Sequence, residues 1–379
     1  MKTLVAIPSV NPEDDDPPEA KGEKRYGDFL ADWLDRRGFS VEVLEQLPDR
    51  NNVIGTYGPE NPERTILIEA HLDTVSVKGM TRPPFEPTIE NGRLYGRGAC
   101  DVKGPAAAAM HALDAGVLSR LADQGIGLTY IGAIGEEKGN LGADWLVDTR
   151  GIGADMAIVL EPTELKIVHA HKGIVWGQIE LIGKPGHGSD PEAGINAIGA
   201  MGWLIPRLEA MIEEDQGRLN NPALGKPSLN IGRIRGGSAV NIVAPHCLID
   251  IDRRYLPEEN AEAIKQGMEK LCAEAKSKGL IVDYTVTVKK NVLPFETATD
   301  SELVGRFQQA CKAEGEAGEL AGTGWFSDGG PFARTSGEVI VFGPGSIKQA
   351  HTRDEYIELE SLQKGADIFQ RFLNDLVGP

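Results

Sequence analysis

The chain has 379 residues, 41% of them apolar and 25% charged, and a formal net charge of −18. That length exceeds an ordinary single domain and predicts two, and the acidic balance excludes a nucleic-acid partner, because phosphate binding needs a basic face. No apolar run is long enough to span a membrane. The four scattered cysteines (Cys100, Cys247, Cys272, Cys311) form neither a disulfide framework nor a thiolate zinc site, which points to a reducing cytoplasm.

The first residues carry no signal-peptide pattern: Leu4–Ile7 is too short for an h-region, and Pro8, Pro12 and an acidic run follow. Leu4 to Val10 is an apolar segment, and Asn11 to Glu19 an acidic, proline-rich loop. Tyr26, Phe29, Leu30, Trp33 and Leu34 recur at helical spacing within 22–37, where Gly38 closes the helix. Strands are expected at 39–44, 52–57, 65–70, 127–134 and 155–160, and an alanine-rich helix at 105–116. Strands alternating with helices predict an α/β domain with a mostly parallel sheet and helices on both faces.

The middle of the chain changes character. A strand from Ile174 to Ile182, a helix at 193–213, strands at 228–235 and 242–251, a helix at 258–278 and a strand at 280–289 follow one another. That order is the split βαβ of ferredoxin-like domains. A smaller domain at 174–289 is therefore expected as an insertion into a larger one formed by 1–173 and 290–379. The larger one resumes with a helix at 300–313, a loop at 322–331, a strand at 338–342 and a helix at 359–376.

Three apolar strands run straight into residues that can bind metal: His71, then Glu136 and Glu137, then Glu161. A fourth strand, Glu338 to Phe342, precedes His351. In open α/β sheets, sites form beyond the carboxyl ends of the strands. Two histidines and several carboxylates without a thiolate suit a zinc site rich in nitrogen and oxygen ligands. Asp73 stands two residues after His71, where a carboxylate can take the second ring N–H and fix the tautomer. Asp101 precedes the alanine-rich helix, a position that also suits an N-cap. His169 and His171 flank an alanine and read as structural, and His111 and His246 as surface or packing residues. There is no Gly-x-Ser-x-Gly elbow, P-loop or Gly-x-Gly-x-x-Gly run, which argues against serine hydrolase and nucleotide chemistry.

The runs His71-Leu-Asp-Thr-Val75, Gly96-Arg-Gly-Ala-Cys-Asp101-Val-Lys-Gly104, Gly135-Glu-Glu137 and Leu160-Glu-Pro-Thr163 stand in one order along the chain. Ala170-His-Lys-Gly173, Gly186-His-Gly-Ser-Asp-Pro191, Gly236-Gly-Ser-Ala-Val-Asn241, Asp252-Arg-Arg254 and Gly343-Pro-Gly-Ser-Ile-Lys-Gln-Ala-His-Thr-Arg-Asp-Glu-Tyr356 complete the series. This pattern resembles the zinc-dependent acylamino-acid hydrolases that include acetylornithine deacetylase and succinyl-diaminopimelate desuccinylase, whose relatives include carboxypeptidases and aminoacylases. Within that family, the 170–198 and 343–356 runs look closest to acetylornithine deacetylase.

The resemblance implies a zinc-exopeptidase-like catalytic domain holding two zinc ions, for which cobalt can substitute. His71, Asp101 and Glu161 would bind one ion, and Asp101, Glu137 and His351 the other, with Asp101 bridging. Asp73 would orient His71. Glu136 would be the general base toward a metal-bridging water, and adjacent carboxylates on an extended backbone would point to different sides. A cis peptide is expected at Asp101–Val102. The inserted domain would be a lid and dimerisation module that makes a homodimer. Its His187 would stabilise the oxyanion in a neighbouring subunit's site, with Asn241 near it, and Arg254 would clamp the substrate's α-carboxylate. The substrate would be a small N-acyl amino acid, N-acetylornithine first, with a succinylated or dipeptide substrate as the alternative. The family pattern includes a helix before the Leu4–Val10 segment that this sequence lacks. The loop run Ser327-Asp328-Gly329 looks more like the desuccinylases and is expected to approach the substrate.

Overall fold

The computed structural model describes residues 1–114 and 116–378, with Asp114 described in its backbone alone. The chain divides into two compact units: residues 1–170, 295–322 and 327–379 form the first, and residues 171–294 with 323–326 the second.

The first unit is built on a nine-stranded sheet. At its centre four strands run parallel: Ile126–Ala133, Arg64–His71, Met156–Leu160 and Glu338–Phe342. Every residue from Ile66 to His71 and from Met156 to Leu160 is buried. Continuous apolar runs of this kind are what a parallel strand covered on both faces requires. Antiparallel strands Ser40–Leu47 and Arg50–Tyr57 extend the sheet beyond Ile126–Ala133. The helix Lys103–Asp114 buries Ala106, Ala108, Ala109 and Ala112, small side chains that let its backbone come close to its neighbours. The core closes on Phe307, Phe342, Phe369 and Phe372, whose ring centroids lie 4.3–6.0 Å apart in tilted and edge-on pairs. Each central strand ends, at its carboxyl end, beside one of the expected ligands.

The second unit has a four-stranded antiparallel sheet in the order Ser228–Gly236, His246–Tyr255, Gly173–Ile182, Asp283–Val292. Helices Ala197–Arg218 and Ala261–Ser277 connect its strands in the split βαβ order. The alternation along Gly173–Ile182 turns Val175, Ile179 and Leu181 inward. There they join Met201, Leu204 and Leu208 of one helix and Met268 and Cys272 of the other in one core.

Several element boundaries differ from the sequence expectation. The segment after Met1 is a short helix, Lys2–Val5, rather than part of one apolar stretch. The strand expected from Ile242 begins at His246, because Pro245 has no N–H to give the ladder. The helix expected from Ala193 begins at Ala197, where the Asn196 side chain caps the backbone N–H groups of Ile198 and Gly199. All four cysteines are buried with free thiols. Among the described residues no helix is long and apolar enough to cross a membrane.

Candidate metal centre

His71 is the last residue of the strand Arg64–His71 and is almost fully buried. Its Nδ1 lies 2.9 Å from the backbone carbonyl of Asp73. A carbonyl only accepts, so Nδ1 carries a proton and Nε2 is turned toward the Asp101 carboxylate. The sequence reading gave this orienting role to the Asp73 carboxylate, but that group stands 3.6 Å away. The carboxylate instead accepts from the backbone N–H groups of Glu136 (3.1 Å) and Glu137 (3.2 Å) and from the Asn11 amide (2.7 Å). Asp73 therefore fixes His71 through its main chain and the two glutamates through its side chain.

Asp101 lies between the two histidines. One carboxylate oxygen is 3.0 Å from His71 Nε2 and the other 3.3 Å from His351 Nε2. Its carboxylate thus faces both histidines at once, a role beyond that of an N-cap. The peptide bond after it, Asp101–Val102, is cis. His351 also stands 3.1 Å from Glu137, and Glu161 is 3.9 Å from His71 Nε2. Ligand atoms of His71, Asp101 and Glu137 lie within 4.8 Å of one another, and so do those of His71, Glu136 and Glu161. This second grouping puts Glu136 closer to the His71–Glu161 pair than the sequence suggested. Glu136 and Glu137 sit on a single 3-10 turn, Glu136–Lys138, entered through Gly135 at φ 70°, rather than on extended backbone. On that turn they diverge because helical positions separate successive side chains, not because a strand alternates them.

The electrostatics of the cluster are those of a site built for cations. Burial, together with Glu161, raises Glu136 well above the ordinary carboxylate range. Burial, together with Asp101, does the same to Glu161 and lifts Glu137 to about 7. Burial also works against the charge on Asp101, yet hydrogen bonds from His351 and His71 outweigh it and hold that carboxyl below its usual range. In His351 the pull of Asp101 and Glu137 overrides burial and raises the imidazole to about 11. Four carboxylates thus face two imidazoles whose Nε2 atoms point among them. Such a set is stable only when protons or metal cations sit between the groups. Nitrogen and oxygen donors in these numbers fit a pair of divalent ions.

Two groups around this cluster were not found from the sequence. Glu355, buried four residues after His351, accepts hydrogen bonds from the Arg97 side chain and from the backbone of Gly98, Cys100 and Asp101. It lies in the Gly343–Tyr356 run, where its spacing from His351 is the one sequence feature that points to it. Asp328, in the Ser327-Asp328-Gly329 run, is fully buried rather than exposed to a substrate. It accepts from the Asn140 amide at 2.7 Å, and burial lifts its carboxyl to about 6 against the opposing hydrogen bonds from Glu69 and Asn140.

His187, Asn241 and Arg254 fall in the second unit. His187 is exposed, its Nδ1 2.7 Å from the Ser189 hydroxyl. An isolated antiparallel bridge between His187 and Ile242 sets Asn241 beside the same loop. Arg254 grips Asp252 through Nε (2.8 Å) and Nη2 (2.9 Å), while Nη1 donates to the Gly324 carbonyl at 3.0 Å. His169 is buried with Nδ1 2.8 Å from the Thr297 carbonyl, a structural contact as expected.

The sequence profile of peptidase family M20/M25/M40 matches residues 67–375, from the strand that delivers His71 into the C-terminal helix. The chain belongs to this family. It is 32% identical to the acetylornithine deacetylase of Pasteurella multocida, across 98% of this chain and 95% of that one. It is 30% identical to the acetylornithine deacetylase of Proteus mirabilis, across 99% and 95%. In three dimensions it is similar to a tripeptidase from Staphylococcus aureus, with a TM-score of 0.77 and 22% identity over 100% of this chain and 96% of that one. The M20 chain described here is thus an enzyme of a metallopeptidase and hydrolase family, with the metal-ligand types of that family gathered at the strand ends.

Proposed function

We propose that this M20 enzyme hydrolyses the amide bond of an N-acyl amino acid, N-acetylornithine foremost, to a carboxylate and a free amino acid. The observation that carries the proposal is the Asp101 carboxylate facing His71 with one oxygen and His351 with the other, with Glu136 grouped beside His71 and Glu161. Similarity to acetylornithine deacetylases over nearly the whole chain supports the choice of substrate.

His71, Asp101 and Glu161 would hold one ion, and Asp101, Glu137 and His351 the other, both zinc. When bound, the pair supplies Lewis acidity that polarises the scissile carbonyl and acidifies water. Glu136 takes the proton from the attacking water and returns it to the leaving nitrogen, so the C–N bond breaks with the amine neutralised. Asp73 keeps Glu136 and Glu137 in register through their N–H groups. The second unit would act as lid and dimerisation module, with His187 and Asn241 stabilising the oxyanion of a partner's site. Arg254, held by Asp252 and by the Gly324 carbonyl, would clamp the substrate's carboxylate.

Initial rates on N-acetylornithine, N-acetylcitrulline, N-succinyl-diaminopimelate and a dipeptide panel, with zinc- or cobalt-loaded protein, test the reading. N-acetylornithine should be the best of these, and chelation should abolish its hydrolysis. Glu136→Gln should lower kcat by roughly 10²–10⁴-fold with metal content unchanged. A Glu136→Gln enzyme within tenfold of wild type would remove Glu136 from the role of base.

A further inference from the structure

The loop that carries Asp101 has no regular secondary structure to hold it. Residues 96–102 lie between the strand Arg93–Tyr95 and the helix Lys103–Asp114. A bridging carboxylate must nonetheless be held within a few tenths of an ångström if both of its oxygens are to meet their partners. The group that supplies the missing constraint comes from the far end of the chain. Glu355 is buried to 1% exposure. Its Oε1 accepts from the backbone N–H of Cys100 at 2.8 Å and of Asp101 at 3.0 Å. Its Oε2 accepts from the backbone N–H of Gly98 at 3.0 Å and from Arg97 Nη1 at 2.7 Å. In turn, Arg97 ties the loop to the Ser76 carbonyl through Nη2 at 2.7 Å. Four donors on one carboxylate nearly exhaust its acceptor sites. Three of the four are consecutive or near-consecutive main-chain groups of the Asp101 loop.

The same short segment also delivers His351, whose Nε2 meets the second oxygen of Asp101 at 3.3 Å. Residues 351–355 thus reach Asp101 twice, at the side chain through His351 and at the main chain through Glu355. Glu355 has no contact with the grouped ligand atoms of its own and so acts through Asp101.

We propose that Glu355 is a positioning residue that presets the Asp101 loop, holding the bridging carboxylate in place and in register with His351 before any ion binds. The proposal rests on the dinuclear reading of the site. A glutamine at 355 keeps the shape but offers one acceptor oxygen, sets an NH₂ against main-chain N–H groups, and leaves Arg97 without its counter-charge. The loop then loses its anchor while all five ligands remain.

Two measurements test this. The first is zinc affinity of metal-stripped protein, by competition with a chromophoric chelator at a temperature where circular dichroism shows wild type and Glu355→Gln equally folded. Glu355→Gln should bind zinc roughly 10- to 100-fold more weakly. In the zinc-saturated variant kcat should fall with KM within about threefold, because Asp101 is displaced and not the substrate's contacts. The second is hydrogen exchange of wild-type protein without metal, where the Cys100 and Asp101 amides should be protected as strongly as those of the neighbouring helix. Wild-type zinc affinity in Glu355→Gln, or rapid exchange at Cys100 and Asp101 in the metal-free wild type, overturns the proposal. Should Glu355→Gln not fold, the exchange measurement decides alone. Failure of the wild type itself to bind zinc would instead refute the metal reading, and is seen in the first titration.

Discussion

Arg253 has a fully buried side chain in the second unit. Its Nη2 bonds Asp215 at 3.1 Å and Glu259 at 2.5 Å, and its Nη1 donates to the Arg254 carbonyl. A guanidinium can be kept in such a place because it is met by several acceptors at once. Arg253→Met would leave two carboxylates facing each other with only partial access to water. It should destabilise the protein by about 3 kcal/mol, the low end for a broken buried pair, read as a lowered urea midpoint with the slope unchanged. An unchanged midpoint would show that the pair adds nothing net. The neighbouring Arg254 is built differently, paired along its fork with Asp252 and half-open to water. Two adjacent arginines on one strand thus point to opposite faces, one to stability and the other toward the surface, as strand alternation requires.

At the scale of elements, the turn that presents Glu136 and Glu137 is held from both ends. It is entered at Gly135 (φ 70°), and it leads into the helix Leu141–Arg150, whose Gly142 N–H donates to the Ile134 carbonyl at 2.7 Å. A Cβ at Gly142 would meet Asn52 Oδ1 at 2.3 Å and the Ile134 nitrogen at 2.5 Å. Two of the three nearest atoms are backbone and cannot swing away. Gly142→Ala should therefore cost about 1–3 kcal/mol through overpacking and should also lower kcat, since relief of the clash shifts the turn and with it Glu136. Thermal melts and rates on the same sample check both, and a variant with wild-type kcat would uncouple helix packing from the catalytic turn. Most of the candidate ligands were legible in sequence, because each of His71, Glu137 and Glu161 follows an apolar strand of the kind a buried parallel sheet requires. Glu355 and Asp328 were not. Their partners are main-chain N–H groups, an amide and another carboxyl far away along the chain, and such contacts leave no periodicity. Asp73 reaches His71 as its spacing suggests, but spacing does not show that the carbonyl makes the shorter contact.

Taken as a whole, the molecule stores protons at its centre when metal is absent. Glu136, Glu137 and Glu161 are raised by burial and by one another. Stability from these groups is present at low pH and is lost as pH rises through their folded values. His71 and His351 are raised as well, because nearby carboxylates outweigh burial. Their contribution is full below the unfolded histidine value and declines above it. Asp101 and Asp73 act in the opposite sense, and only in acid. Metal-free protein should therefore lose stability steadily from about pH 5 to 8, because the folded state binds more protons than the unfolded one. Zinc bound at this cluster would take the place of those protons, and its binding would tighten as pH rises. The difference in Tm between zinc-loaded and stripped protein should widen across that range, and a constant or shrinking difference would mean that the cluster is not the metal site.

The strand Glu338–Phe342 lies in the middle of the first unit's sheet, parallel to Met156–Leu160, and the whole second unit is encoded between the two. For a chain leaving the ribosome, this imposes an order of assembly. The strand Met156–Leu160 emerges early and must wait, one edge open, until the last tenth of the chain arrives. Asp101 and Glu355 are 254 positions apart, so the bridging carboxylate acquires its anchor only at the end of synthesis. Contacts of such long range are slow to form, and open edges are prone to pair wrongly in the interval. An intermediate stalled within the inserted unit would own His71 and Glu161 yet lack His351. On the proposed ligand set, a filled two-ion centre would then be a signature of a finished chain, and premature termination anywhere before His351 would yield a product that cannot acquire it.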